Sequence, residues 1–271
     1  MPEPAPDHRP EHDPVRLATL AITAARAAAD LIRTHRGRAV DVGAKSSPTD
    51  VVTQTDLDAE QFIRDVLGRA TPAAGFVGEE GGATAAGAHL QWVVDPLDGT
   101  VNFLYDLPVV AVSVAAAVDG EVVAGAVADV VHGDTFSAAA GHGARVGDAP
   151  VGVSSCATLA QALVTTGFSY RAATRARQGD VVQRLLPAVR DVRCFGSAAL
   201  QLCWVGSGRV DAYFERDTKV WDHAAGALIA REAGATTELP CPENAGLVIA
   251  ATPAVFDDLR HLVRHTADVA P

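Results

Sequence analysis

Apolar residues recur at helical spacing over residues 15–36, where Leu17, Leu20, Ala21, Ala24, Ala28 and Leu31 fall on one side of a 3.6-residue repeat. Asp13 or Pro14 can start that helix and Gly37 can end it. A polar loop with a Ser-Pro step follows at 45–50, and a second helix is predicted to run to about Arg69. Thr55 reads as its N-cap, with Asp56 and Asp58 in the first turn. The middle third changes period. Val- and Ala-rich runs at 92–94, 109–118, 121–131 and 135–140 are broken at Asp119-Gly120 and His132-Gly133. Asp-Gly between apolar runs signals a hairpin, so this segment reads as an antiparallel meander.

Beyond Ser154 strand and helix patterns alternate. Strands are predicted at 162–167, 191–195, 209–215 and 247–251. Helices are predicted near 175–189 and from Ser197, Asp222 and Pro253. A helix pair, an antiparallel sheet and a mixed half make an α+β chain. The segments 15–150 and 151–271 read as two halves sharing a packed interface, preceded by a solvated, disordered tail over 1–14 that is rich in Pro, Asp, Glu and His.

Composition narrows the function classes. With 271 residues, 48% of them hydrophobic, the chain can bury a large core. The net charge of −11 lacks the basic footprint of a nucleic-acid binder, so no direct nucleic-acid contact is expected. A surplus of carboxylates is also what holds hard cations. Cys156, Cys194, Cys203 and Cys241 have no CxxC spacing and read as reduced core thiols rather than zinc ligands or a disulfide framework. The first residues hold no apolar core of a signal peptide. Asp119, Glu121 and Asp129 keep the longest apolar run below the roughly 18 residues of a membrane span. A soluble, cytoplasmic protein is expected.

The chemistry concentrates in VVDPLDGTVNF, residues 93–103. An apolar strand delivers Asp95 to its end, Pro96 turns the chain, and Asp98 follows three residues after Asp95. Two carboxylates so close cannot both ionise without a compensating cation or proton. The Leu97 carbonyl between them is a third oxygen donor, and the amides after Gly99 form an anion site at a helix start. A DP turn followed by a DGT cap is also ordinary loop chemistry, so the pattern alone leaves both readings open. Gly78-Glu79-Glu80-Gly81-Gly82 follows apolar Phe76-Val77, where glycines permit a carboxylate to be aimed inward or simply mark a solvated loop. Asp222 opens an Ala-rich helix as a metal-facing carboxylate, as its N-cap, or as both, while His223 reads as a surface or packing residue. Lys45 and Lys219 are the two lysines among 22 basic residues, and Lys45 fits a point charge near phosphate as well as a solvated loop position.

Together these segments resemble the inositol monophosphatase family, within the Mg²⁺-dependent, lithium-sensitive phosphatases. The resemblance rests on KSSPTDVVTQTD (45–56), FVGEE (76–80), WVVDPLDGTVNF (92–103), GSAAL (196–200), DAYFE (211–215) and WDHAAGALIAREAGA (221–235), in the family's order and over nearly the whole folded chain. It implies a layered αβαβα sandwich of the sugar-phosphatase type, usually a homodimer, with two or three Mg²⁺ ions per site and a small phosphate monoester as substrate. Glu79, Asp95 and the Leu97 carbonyl look like ligands of one ion, and Asp95, Asp98 and Asp222 of a second, with a further ion near Glu79. Thr100, backed by Asp56, would orient the attacking water and take its proton, with Glu79 counted among the catalytic groups. Gly99 and Thr100 amides would hold the phosphate. Gly196, Ser197, Ala198 and Glu215 would hold a hydroxyl-rich leaving group, with Lys45 near the phosphate. Ser197 stands where the family more often has Thr, which keeps the hydroxyl and leaves selectivity open.

Inositol monophosphate is the substrate this resemblance favours. Histidinol phosphate fits the same chemistry because Glu215 or Asp217 would welcome its cationic amine. Fructose 1,6-bisphosphate or 3′-phosphoadenosine 5′-phosphate would need a second cationic subsite, for which only scattered Arg171, Arg175 and Arg177 are available. A non-catalytic regulatory binding protein is the reading of a different class.

Overall fold

The computed structural model describes residues 12–37, 42–44, 51–85 and 87–264. Most of the N-terminal tail, and the 45–50 loop with Lys45, lie outside the described residues.

Helix α1 (Pro14–His35) starts where the Asp13 carboxylate accepts the Arg16 amide at 2.9 Å, and it turns off at Gly37, whose φ of +74° suits glycine. A short hairpin, β1 (Val42–Ala44) with β2 (Val51–Thr53), leads into α2 (Gln54–Ala70). The N-cap of α2 is Thr53, not Thr55. The carboxylate of Asp56, in the first turn, reaches back to the Thr53 amide (2.9 Å) and hydroxyl, a capping box that sequence reading placed two residues late. Thr55 is buried instead and meets His35 Nδ1 at 3.3 Å.

The larger sheet takes β3 (Gly75–Gly78), β4 (Gly82–Thr84), β5 (Leu90–Asp98), β6 (Ala111–Val118), β7 (Glu121–Asp129), β8 (Thr135–Ala139), β9 (Ala144–Val146) and β10 (Ala149–Val151). Their order is β10-β9-β8-β7-β6-β5-β3-β4. All neighbours are antiparallel except β3 with β5, and β5 to β8 form the meander that the Asp119-Gly120 hairpin and the apolar runs predict. Helix α3 (Thr100–Leu104) follows β5 directly.

The smaller sheet takes β11 (Leu163–Thr166), β12 (Asp191–Cys194), β13 (Ala212–Arg216), β14 (Thr236–Glu238) and β15 (Leu247–Ala251) in the order β12-β11-β13-β15-β14. Strand β11 runs parallel to both its neighbours. The intervening helices are α4 (Ala172–Leu185), α5 (Ala198–Gly206), α6 (Val220–Glu232) and α7 (Pro253–Arg264). Helix α4 ends earlier than its pattern suggested, because Pro187 supplies no amide and the chain tightens into a 3₁₀ turn at Leu186–Ala188.

The apolar clusters define five layers. Helices α1 and α2 pack on one face of the larger sheet through Leu17, Ala21, Ile32, Ile63 and Leu67 against Trp92, Val94 and Val112. Helices α5 and α6 pack on its other face through Leu200, Cys203, Ala225 and Ile229. They also meet the smaller sheet through Leu202, Val205 and Ala230, and α4 and α7 cover that sheet's far face. A helix enclosed on both sides must be apolar nearly all round, and small residues let it approach. A Cβ on Gly125 of β7 would lie 3.0 Å from Ala225, and one on Gly226 would lie 2.8 Å from the Leu202 Cβ. The α+β class and the αβαβα layering are therefore as expected. The cysteines are all free, but only Cys203 is a core thiol; Cys194 is exposed, and Cys156 and Cys241 are half-buried.

Candidate active site

Strand β5 does not end at Asp95 as the Asp-Pro step suggested. It continues to Asp98, and the register slips between them: Asp95 faces Ser113 and Asp98 faces Ala111. Three steps on β5 thus match two on β6, so one extra residue is accommodated as a bulge around Pro96, which needs no ladder donor. The bulge turns Asp95, the Leu97 carbonyl and Asp98 toward one cleft. Gly99, at φ +99°, then caps α3; a Cβ there would lie 2.8 Å from the Val109 carbonyl.

That cleft, about 480 Å³, is lined by residues from both sheets and the central helices. Glu79 enters from the β3–β4 turn, Asp222 from the first turn of α6, Glu215 from β13, and Gly196 to Ala198 from the start of α5. Asp222 is not the N-cap of α6. Lys219 holds that position, and Asp222 reaches back to accept the Lys219 amide at 2.6 Å. The tilt this imposes leaves its other oxygen for the cleft. Asp95 Oδ1 accepts the Leu97 amide at 3.0 Å, and Asp98 Oδ2 accepts Ser197 Oγ at 2.6 Å and the Ala199 amide at 2.7 Å.

The carboxylates repel one another in a place with little water. Burial, then the charges of Glu79, Asp98 and Asp222, push Asp95 well above the usual carboxylate range. Burial raises Asp98 to about 6 despite the Ser197 and Ala199 bonds that oppose it. Asp222 is raised chiefly by burial, against the Lys219 amide and with the charges of Asp98, Glu79 and Glu215. The burial and repulsion that raise Asp95, Asp98 and Asp222 would be offset by a hard divalent cation, for which these aspartates, the Glu79 carboxylate and the Leu97 carbonyl supply hard oxygen donors. Among the described residues no three His, Cys, Asp or Glu side chains already stand at ligand spacing for a metal ion.

Thr100 Oγ1 lies 3.1 Å from Asp56 Oδ1 and 3.2 Å from the Leu97 carbonyl. Asp56 thus caps α2 with one oxygen and meets Thr100 with the other. Across the cleft Glu215 accepts the Tyr213 hydroxyl at 2.9 Å, and burial raises it to about 7. Gly167 is needed beside it, since a Cβ there would overlap the Glu215 carboxylate. His223 is a packing residue: it is buried, contacts Thr218 Oγ1 at 3.2 Å, and burial lowers it to about 4, so it is neutral near pH 7.

Ser197 is already engaged within the protein. Its hydroxyl donates to Asp98 and accepts the Leu200 amide at 3.3 Å, so it supports a carboxylate and caps α5 and keeps one lone pair for a further donor. Residues that sequence reading missed also line the cleft: Asn102, Phe168, Tyr170, Gln201, Lys219 and Trp221. Asn102 Nδ2 donates to the Val109 carbonyl (2.8 Å) and the Phe195 carbonyl (2.7 Å), tying the α3 turn to the turn before Gly196. Gln201 is fully buried and its amide finds no hydrogen-bond partner among the described residues; a lone polar residue in the apolar run of α5 was the available signal.

Comparison with known proteins shows the family. A family model described as the inositol monophosphatase family matches residues 13–266. The inositol-1-monophosphatase of Mycobacterium leprae is 46% identical, over 97% of this chain and 98% of that one. The solved structure of Mycobacterium tuberculosis SuhB matches with a TM-score of 0.82 at 40% identity, over 96% of this chain and all of the other. A Nus factor SuhB from Pasteurella multocida is 37% identical, over 92% of this chain and 96% of its own. The chain belongs to the inositol monophosphatase family.

Proposed function

We propose that the protein is a Mg²⁺-dependent phosphomonoesterase that hydrolyses inositol monophosphate to inositol and phosphate. The observation that carries this is the convergence of Glu79, Asp95, Asp98 and Asp222 on one cleft beside the Thr100–Asp56 pair. Two or three Mg²⁺ ions would be held by Glu79, Asp95 and the Leu97 carbonyl, and by Asp95, Asp98 and Asp222. When bound, such ions polarise phosphoryl oxygens and offset the charge that develops on the leaving oxygen.

The protein's own groups do the rest. The first amides of a helix have no intrahelical acceptor, so Gly99 and Thr100 present theirs to the phosphate. Thr100 has a single hydroxyl proton. Donating it to Asp56 leaves a lone pair to receive the proton of the attacking water, and as that proton arrives the original hydroxyl proton passes to the Asp56 carboxylate. Attack in line with the leaving group needs no covalent intermediate on the protein, and alignment is the main contribution. Gly196, Ser197, Ala198 and Glu215 would face the leaving group, and Ser197 also holds Asp98. Lys45 is retained as a proposed phosphate-side cation.

The two acids Glu215 and Asp217 in the cleft lining keep histidinol phosphate as the nearest alternative substrate. No arginine lines the cleft among the described residues, which weighs against bisphosphates. The likeness to a protein named as a Nus factor favours a second reading, a regulatory binding protein. The proposal also carries a cytoplasmic homodimer of two-half subunits (15–150 and 151–271) with lithium-sensitive turnover. Light scattering and a lithium titration test the dimer and the inhibition. No described helix is long and apolar enough to cross a membrane. The deciding experiment is phosphate release with and without Mg²⁺ from inositol 1-phosphate, histidinol phosphate, fructose 1,6-bisphosphate and 3′-phosphoadenosine 5′-phosphate. Greatest Mg²⁺-dependent release from inositol 1-phosphate supports the proposal; another winner replaces the substrate, and no turnover at all moves the regulatory reading forward.

A further inference from the structure

Glu79 stands on a three-residue turn: Gly78 pairs with Gly82 across β3 and β4, and Gly82 takes the left-handed conformation (φ +65°) such turns use. Before Glu79 the chain is fixed by the ladder, and the Glu79 amide reaches the Val94 carbonyl at 3.3 Å. After it, the fixing group comes from another element. Glu60 of α2, 3% exposed, accepts the Glu80 amide on Oε2 and the Gly81 amide on Oε1, both at 2.8 Å. Arg64, one helical turn on, donates to Oε1 at 2.8 Å and lies 3.9 Å from the centre of the Phe76 ring in β3. A buried carboxylate with a paired cation and two amide donors is held in one place. Two glycines make room for it. A Cβ on Gly81 would lie 2.5 Å from Glu60 Oε1, and one on Gly78 would overlap the same carboxylate. Neither glycine has a positive φ, so closeness to Glu60, not backbone conformation, accounts for both.

The geometry points to Glu60 as the positioning residue that aims Glu79 into the cleft, by clamping the two amides that follow it. This rests on the proposed role of Glu79 as a cation ligand. Glu60 touches no reacting group; it fixes the turn from which the ligand projects, as outer partners of metal ligands do.

Elsewhere the fold offers a matched control. Glu232 accepts the Gly141 and Gly143 amides at 3.1 and 3.0 Å, anchoring a turn that does not line the cleft. The test is calorimetric titration of Mg²⁺ into wild type, Glu60→Gln, Gly81→Ala and Glu232→Gln, with a thermal melt of each. The amide of Glu60→Gln keeps the size but turns an NH₂ against a backbone N–H; Gly81→Ala keeps Glu60 and displaces it. Both should weaken Mg²⁺ binding by about 10–100-fold, the cost typical of losing an outer partner. At saturating Mg²⁺ the KM for the phosphate ester should stay near wild type, and Glu232→Gln should bind Mg²⁺ as wild type does. If Glu60→Gln does not fold, Gly81→Ala carries the test. Wild-type affinity in folded Glu60→Gln and Gly81→Ala, or an equal loss in Glu232→Gln, overturns the positioning role. Absence of Mg²⁺ binding by wild type overturns the reading of Glu79 beneath it.

Discussion

On one wall of the cleft Asp95, Asp98 and Asp222 each have an oxygen pinned by a backbone amide, from Leu97, Ala199 and Lys219 respectively. On the opposite wall the hydrogen bond to Glu215 comes from a side chain, Tyr213, and the rim is formed by exposed Phe168 and Tyr170. The loop carrying those aromatics is tied to α4 through Ser169, whose amide meets Gln178 (2.9 Å) and whose carbonyl meets Arg175 (3.0 Å). Backbone donors hardly change with side-chain substitution, whereas side-chain donors do. The first wall is therefore preorganised for a charge that is common to every phosphate ester, and the second can be altered without disturbing it. Asp98 and Asn102 bridge the two, reaching Ser197 and the Phe195 carbonyl.

The largest effect should come from the first wall. Asp95→Asn removes the charge shared by both proposed ion sites, and turnover should fall by more than the about 10–100-fold that an outer partner costs. Fold should survive, since the substitution removes a buried, repelled carboxylate, and circular dichroism checks it. Near-normal phosphate release would remove the shared-ligand mechanism. Next comes Thr100→Val, which keeps shape and deletes the hydroxyl next to Asp56. Loss of a positioned proton acceptor typically costs about 10²–10⁴-fold. The loss should appear in kcat, with KM little changed; a change in KM alone would make Thr100 a binding residue only.

Ser197→Ala tests the seam between the walls. Its hydroxyl bonds Asp98 at 2.6 Å, so the expected loss is in Mg²⁺ affinity, about tenfold at the low end of outer-partner effects. If KM for inositol 1-phosphate rose while Mg²⁺ affinity held, the hydroxyl would belong to the leaving-group wall after all.

What the sequence made legible follows the same division. The helical stripe of α1, the Asp119-Gly120 hairpin and the carboxylate spacing of 95–98 are local patterns, and all appear in the fold. Missed features depend on contacts between distant segments. The bulge at Pro96 is visible only against β6, and the capping roles of Thr53 and Lys219 only once Asp56 and Asp222 reach back to them. The clamp of Glu60 on 80–81 and the tie from Asn102 to Phe195 join residues 20 and 93 positions apart. Strands β4, β9, β10 and β14 have three residues each, too short for a period to register.

The smallest effect concerns Glu215, and it separates the walls by pH. Burial raises its carboxyl from 4.5 to about 7, the Tyr213 hydroxyl opposes the rise, and Asp98 and Asp217 add to it. A folded-state value above the unfolded one means that the folded protein holds the proton more tightly. The stabilisation this gives is complete below 4.5 and is lost as pH rises through about 7. Asp98 titrates nearby and its charge acts on Glu215, so the difference between the melting curves of wild type and Glu215→Gln reports Glu215 together with that interaction. Across that window wild-type melting temperature should fall more steeply than that of Glu215→Gln. The same variant should change the preference between inositol 1-phosphate and histidinol phosphate while leaving the Mg²⁺ requirement alone. Parallel melting curves would mean that Glu215 is ionised and water-facing throughout, and a shifted Mg²⁺ affinity would mean that its charge reaches the ion-binding wall.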